Sequence, residues 1–502
     1  MAIDKPETSR SALLQQVQQV SRWDAVIMGG GATGLGIALQ AAVQGYRVLL
    51  LEAEDFSSGT SSRSTKLLHG GVRYLAQGHL GLVRDALNER QTVIRNAPFL
   101  ARSLTFALPS YCLRDSWKYR IGLRVYDWLS GATSLGQTGW VEAEQARKML
   151  PELRSDGLKG LVTYCDGQFD DAGLAIALAR TANRQGAMVL NHCAVKSVKL
   201  EQGQVKGVQW VDTLDGSSHI AHSDCVINAT GVWLDRLRAS RMPRSVTVSR
   251  GTHVVVERSF WPHDHGLIIP DTSDGRVLFV LPWQGYVLLG TTDIPCTEVT
   301  SNPRPDSAEI HFILHEVSRY LTRPPQVADV TSVWAGLRSL VTPMGAKTTL
   351  TRNIGREHAI WQDLDGQVCV AGGKWTTYRL MAEQVVTFCR QAGLLDASKP
   401  LTSTRHLALD CPLPSDWESG PISTHNLTST ISESYIRWCV RNTQACTVED
   451  MLARRYRWLM LDARRAHAVA EDVAMIMHSE GLADVRLDHF LATTDEYLPR
   501  VG

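Results

Sequence analysis

DAVIMGGGATGLGIALQAAVQGYRVLLLE, residues 24–52, is the stretch whose reading decides the fold. Residues 24–28 are an apolar run of strand length, and residues 46–51 are a second. Between them stand Gly29-x-Gly31-x-x-Gly34 and an alanine-rich helix over about 35–43, closed by Gly45 as a helix-end glycine. Strand, helix and strand of these lengths read as one βαβ unit with parallel strands. Gly29 permits the tight turn, Gly31 lets a pyrophosphate approach the backbone, and Gly34 lets the helix pack close on the strand. The helix N-terminus offers phosphates free N–H groups and a positive dipole end. Glu52 follows Gly34 by 18 positions, where it can accept hydrogen bonds from a ribose. The glycine motif alone is weak; in this strand–helix–strand–Glu order it indicates dinucleotide binding rather than a structural turn.

The chain has 502 residues, which at ~150 per domain implies two to four domains. Hydrophobic residues are 44% and charged residues 21%, a globular composition. Lys and Arg number 52 against 51 Asp and Glu, so bulk-charge binding to nucleic acid is not expected. The 10 Cys are scattered without a C-x-x-C pair, which suits a reducing, cytoplasmic compartment. Residues 1–22 are polar, with Gln15, Gln16, Gln18 and Gln19 where a signal peptide would be apolar. No run of ~18 apolar residues suggests a membrane span. There is no EF-hand loop, and no metal site is expected.

Two later strand-to-glycine steps, Cys225 to Gly231 and Val368 to Gly373, accompany the one at Gly29. Spread over more than 300 positions, they imply one domain assembled from distant segments around a long cofactor, FAD rather than NAD. A helix start after Gly373 would suit a flavin ring that becomes anionic on reduction. Helices are expected over 171–185, 307–321 and 376–392, and an antiparallel sheet over the β-branched stretch 245–300. From residue 431 the pattern is helical, and its Arg454, Arg455, Arg457, Arg464 and Arg465 read as a solvated face in preference to a partner site. Residues 113–129 place Trp117, Ile121, Val125, Trp128 and Leu129 near one helical face, flanked by Arg114, Lys118, Arg120 and Arg124. That pattern fits a helix lying in a lipid interface, or equally one packed on the core with a basic edge.

Several blocks resemble, in order, the flavin-dependent glycerol-3-phosphate dehydrogenases. They are TSSRSTKLLHGGVRY (60–74), RGTH (250–253), GTTD (290–293), GLR (336–338), Thr351-Arg352 and GGKWTTYR (372–379). TVEDMLARR (447–455) resembles the helical C-terminal domain of that family. The resemblance covers most of 24–395 and, more loosely, 430–490; HGG-x-RY and GGK-x-TTYR are its specific parts. Asn353 follows Arg352 where some relatives would carry an acid.

The resemblance implies an α/β + α architecture of the D-amino-acid-oxidase type. A Rossmann-like FAD-binding domain would comprise 23–110, 160–245 and 340–395, and an antiparallel-sheet substrate domain 111–159 and 246–339. A linker over 396–430 and a helical C-terminal domain over 431–502 would follow. It also implies oxidation of sn-glycerol 3-phosphate to dihydroxyacetone phosphate, with electrons passed to a membrane quinone; the residues leave oxygen or a partner subunit open as the acceptor, and a peripheral position on the inner face of the cell membrane is expected. FAD would be held non-covalently, since residues 57–75 carry no attachment motif. Its contacts would be Gly29, Gly31, Gly34, Glu52, Thr60, Ser61, Ser62, Lys66, Gly231, Gly372 and Gly373. The oligomeric state is open, a homodimer included.

A phosphorylated polyol needs fixed positive charge at one end and a proton acceptor at the other. Arg73, Arg338, Arg352 and Lys374 lie beside glycines or strand ends, where their charges can converge on a phosphate. Tyr74 and Thr377 add hydroxyl groups. His253 is the candidate base, and Arg338 and Lys374 complete the expected catalytic set. His69 is expected to be structural. An amine or amino-acid oxidase of the same architecture would need one Arg rather than this cluster, and a non-catalytic flavin scaffold none.

Overall fold

The computed structural model describes residues 9–71, 80–238, 245–341, 358–411, 413–414 and 430–499. Ala25–Met28 and Val48–Leu51 pair in parallel on either side of the helix Ala32–Val43, as the opening motif requires. They belong to a six-stranded sheet in the order Ala359–Gln362, Val368–Ala371, Val226–Asn228, Ala25–Met28, Val48–Leu51, Met188–Leu190. Only Ala359–Gln362 runs antiparallel to its neighbour. Met28 stands opposite Asn228, and Asn228 opposite Cys369. The three strand-to-glycine steps therefore leave one sheet side by side, from the carboxyl ends where open α/β sheets bind ligands. The strands are buried on both faces: the helices Ala32–Val43, Asp171–Arg184 and Tyr378–Gln391 cover Ile27, Leu50 and Val370, and the helix Arg10–Gln19 with a three-stranded sheet (Cys193–Glu201, Gln204–Asp212, Ser218–His222) covers Val26, Leu49 and Val226.

The second sheet has ten strands. Its long pair, Val246–Glu257 with Val330–Val341, sets Ser249 opposite Arg338, Gly251 opposite Gly336, and His253 opposite Trp334. Strand side chains alternate between faces, so these six residues share one. Leu67–Leu68, which ends the segment after Glu52, pairs with Gly160–Phe169 in the same sheet. The chain thus passes from the nucleotide sheet into the second sheet within 20 residues of Glu52.

The C-terminal helices pack directly on the second sheet. Trp458, Leu459 and Tyr456 share a core with Trp283 and Trp334. The hydroxyls of Thr331 and Ser332 and Nε1 of Trp334 donate to the carbonyls of Leu461, Leu459 and Met460. This corrects the reading of a solvated basic face: Arg454, Arg455 and Arg457 are buried, while Arg464 is exposed. Their charges are met by Asp55, Asp171 and Asp450, two of which lie far away in the sequence. Upstream, the start of the expected linker runs along the nucleotide domain. Gln40 donates to Thr402 O at 2.7 Å, and Leu409 N donates to Asn96 O at 2.9 Å.

The helix Leu113–Ser130 buries Leu123 and Tyr126 and turns Trp117 (60% exposed), Ile121 (59%), Val125 and Trp128 (77%) outward. Arg120 lies over the rings of Trp117 and Trp140. The side chains of Arg114 and Lys118 fall outside the described residues. Among the described residues no helix is long and apolar enough to cross a membrane.

Candidate active site

The glycine motif forms a close-packed cradle. Gly29 has φ +104°, and a Cβ there would stand 2.8 Å from Ala229 O on the neighbouring strand-to-glycine step. A Cβ on Gly34 would lie 1.9 Å from Gly29 O, so only hydrogen lets the helix approach the turn. Gly31 caps that helix, and its first N–H, on Ala32, donates to Ser61 Oγ at 3.0 Å. Glu52 Oε2 accepts from Gly30 N at 2.6 Å, and its Oε1 accepts from Glu54 N at 3.0 Å. Burial pushes this carboxyl up to about 7 despite the two backbone donors.

The other expected cofactor residues, Lys66 excepted, converge on the same place. Thr60 Oγ1 donates to Leu337 O at 2.6 Å, fastening the segment to the second sheet. Trp375 Nε1 donates to Ser61 O at 2.7 Å, fastening it to the turn after Gly373. Ser57 Oγ and Ser62 Oγ are buried without a hydrogen-bond partner among the described residues. Gly231, Gly372 and Gly373 all take positive φ, and Met381 Sδ sits 2.3 Å from where a Gly373 Cβ would be. A glycine cradle at a helix N-terminus, a ribose-accepting acid and orphan hydroxyls along one crevice fit a long dinucleotide.

Arg338 and His253 face this crevice from the second sheet. The Arg338 guanidinium lies flat on Gly251, where a Cβ would come within 2.3 Å of Nη2. It donates to Thr292 O and to Asp293 Oδ1, both at 3.1 Å. Gly336, on the same face, is covered by Arg63 O, 2.6 Å from a Cβ built there. The 60–66 segment thus roofs the strand pair that carries both side chains. His253 stacks on Trp334 with centroids 4.2 Å apart, and its Nε2 is 3.0 Å from Thr65 Oγ1. A Gly290 Cβ would fall 2.5 Å from the imidazole. Burial, then the positive charges of Lys66 and Arg338, hold His253 well below the usual histidine range, so the ring is neutral and keeps a lone pair. It is 2% exposed and meets the crevice through the half-buried Thr65.

Lys66 is turned away from the crevice. Its Nζ donates to Asp171 Oδ2 and Ser62 O, both at 2.7 Å, and lies over the rings of Trp283 and Trp334. Burial pulls this ammonium down to about 7, with Arg457 adding to the effect and Asp171 opposing it. Lys374 is half-buried and opens the turn Trp375–Thr377, and Thr377 Oγ1 donates to its carbonyl at 3.3 Å. His69 N donates to Thr376 Oγ1 at 3.3 Å. Arg73, Tyr74 and Arg352 lie outside the described residues. Sequence reasoning did not single out Thr65 or Asp171 as site residues, and it read Arg457 as solvated. Thr65 stood in a quoted block, while the pairing of Asp171 with Arg457 leaves no local pattern. Among the described residues, His192, Cys446 and Asp450 are close enough to share an ion, but Asp450 is already paired with His192 and Arg454.

The profile of the FAD dependent oxidoreductases matches residues 24–386, and that of the C-terminal domain of alpha-glycerophosphate oxidase matches 423–484. The chain is 33% identical to the mitochondrial glycerol-3-phosphate dehydrogenase of Schizosaccharomyces pombe, over 99% of this chain and 90% of that one. It is 35% identical to the Homo sapiens mitochondrial enzyme of the same name, over 95% and 73%. The glycerol-3-phosphate dehydrogenase of Bacillus halodurans, solved with FAD, superposes with a TM-score of 0.76 at 25% identity over 98% of each chain. The chain belongs to the glycerol-3-phosphate dehydrogenase family of FAD-dependent oxidoreductases.

Proposed function

We propose that the protein oxidises sn-glycerol 3-phosphate to dihydroxyacetone phosphate and delivers the electrons to a quinone at a membrane surface. The observation that carries this reading is the pairing, on one strand face under the 60–66 segment, of a fixed guanidinium with a neutral imidazole. Bound FAD would supply the hydride acceptor, its N5. Arg338, already aimed by Asp293 and Thr292, would take the phosphate, joined by Lys374, Arg352 and Arg73. Tyr74 and Thr377 would hold hydroxyl oxygens. His253 would receive the proton of the carbon 2 hydroxyl, with Thr65 Oγ1 as the group in contact with its Nε2. The aromatic surface of Leu113–Ser130 supports peripheral attachment, because Trp117, Ile121 and Trp128 are turned to solvent rather than into the core.

The test is anaerobic reduction of the purified holoenzyme. Glycerol 3-phosphate should bleach the flavin, while glycerol and amino acids should not. Bleaching by an amino acid instead would refute the reading. Acid precipitation should release all of the yellow colour, as non-covalent attachment requires.

A further inference from the structure

The helical C-terminal domain reaches into the roof of the active site at one residue. Arg457 lies in the left-handed region at φ +65° and is fully buried. Its Nη2 donates to Ser62 O and to Asp171 Oδ1, both at 2.9 Å, the first across 395 positions of sequence. Its Nη1 donates to Ala453 O at 3.1 Å, tying the guanidinium back to its own domain. Ser62 O and Asp171 are shared with Lys66, which donates to Ser62 O and to Asp171 Oδ2. Asp171 also accepts from Ser64 Oγ at 2.7 Å. One carboxylate and one carbonyl therefore organise Ser62, Ser64 and Lys66, and Thr65 between them holds Nε2 of His253. Lys66 has positive φ, so the backbone there holds a left-handed turn for which its side-chain contacts must compensate.

We propose that Arg457 is a positioning residue of the active site: by fixing Ser62 and Asp171 it sets the 62–66 segment, and with it the Thr65–His253 contact against the cofactor crevice. This rests on the reading of His253 and the 60–66 segment given above. The C-terminal domain then does more than stabilise the chain, because it supplies a second buried cation beside Lys66 on Asp171. Elsewhere among the described residues, Tyr497 of the domain accepts from Arg63, and Arg454 and Arg455 pair with Asp55, which lies before the roof segment. Neither touches residues 64–66 or Asp171. Burial at Arg455 equals that at Arg457 in kind, so it provides a matched comparison.

The experiment compares Arg457→Met, Arg457→Lys and Arg455→Met as FAD-loaded proteins, by visible circular dichroism of the bound flavin and by steady-state kinetics with glycerol 3-phosphate and a soluble dye. Arg457→Met should change the flavin dichroism and lower kcat about tenfold or more, with KM within about threefold. Arg457→Lys should recover part of both. Arg455→Met should melt at lower temperature yet keep the dichroism and keep kcat within about twofold. Wild-type dichroism and kcat in Arg457→Met, or the same changes in Arg455→Met, would overturn the proposal. If Arg457→Met does not fold, Arg457→Lys decides: its kcat should fall while that of Arg455→Met does not. A wild-type flavin that glycerol 3-phosphate fails to reduce would count against the proposed substrate, and the dichroism would still test Arg457.

Discussion

FAD binding should expel a proton from Glu52. Burial is the largest influence on this carboxyl and raises it to about 7; the N–H groups of Glu54 and Gly30 oppose the rise, and the charges of Glu54 and Asp55 add to it. A ribose presents hydroxyl donors, so the cofactor selects the carboxylate and not the acid. Below pH 7 binding must first remove the proton, and each pH unit then weakens affinity about tenfold, or about 1.4 kcal/mol. FAD should therefore bind the apoprotein about 100-fold more weakly at pH 5 than at pH 8. The sign for folding is opposite. An acid whose folded pKa is raised favours the folded apoprotein at low pH, and this contribution is lost as pH rises from the ordinary carboxylate range through about 7. The assay is quenching of FAD fluorescence on titration with apoprotein, from pH 5 to 8, for wild type and Glu52→Gln. The variant should bind more weakly at pH 8 and show a flat profile. A flat wild-type profile, or the same slope in Glu52→Gln, would refute the argument.

Other expectations follow from the same geometry. Gly34→Ala places a Cβ 1.9 Å from Gly29 O, forcing the first turn of the helix off the strand; the protein should purify without FAD, as its visible spectrum would report. Gly251→Ala pushes the Arg338 guanidinium aside while leaving its charge, so KM for glycerol 3-phosphate should rise by about tenfold, the scale of one charge-assisted contact. His253→Ala should instead lower kcat by ~10²-fold with KM little changed and remove the acid limb of the pH profile; near-full kcat would move the base role to Lys374 or a water. Trp117→Glu with Trp128→Glu should abolish sedimentation with anionic vesicles and leave dye-linked activity intact, since both rings are mostly exposed.

The amino-acid sequence by itself determined the nucleotide half of this protein. Residues 24–52 encode a βαβ unit through short-range physics: apolar runs of strand length, glycines where a Cβ would collide, and an acid at the second strand end. The steps at Gly231 and Gly372 were legible for the same reason, although only the strand register brings them beside Gly29. Helix periodicity showed that Trp117, Ile121 and Trp128 share a face, but not whether that face met the core; the burial of Leu123 and Tyr126 on the other side decided it. The tertiary structure alone assigned the arginines of the C-terminal domain. Arg454, Arg455 and Arg457 look like a solvated stripe because charge patterning sees only neighbours a few residues away. Apart from the nearby Glu449 and Asp450 on Arg454, their partners are Asp55 and Asp171, some 400 and 286 positions distant, and pairing is what makes burial of such charges tolerable. For the same reason the sequence could propose His253 and Arg338 but could not show that antiparallel register sets them on one face, under a roof held by a domain made at the other end of the chain.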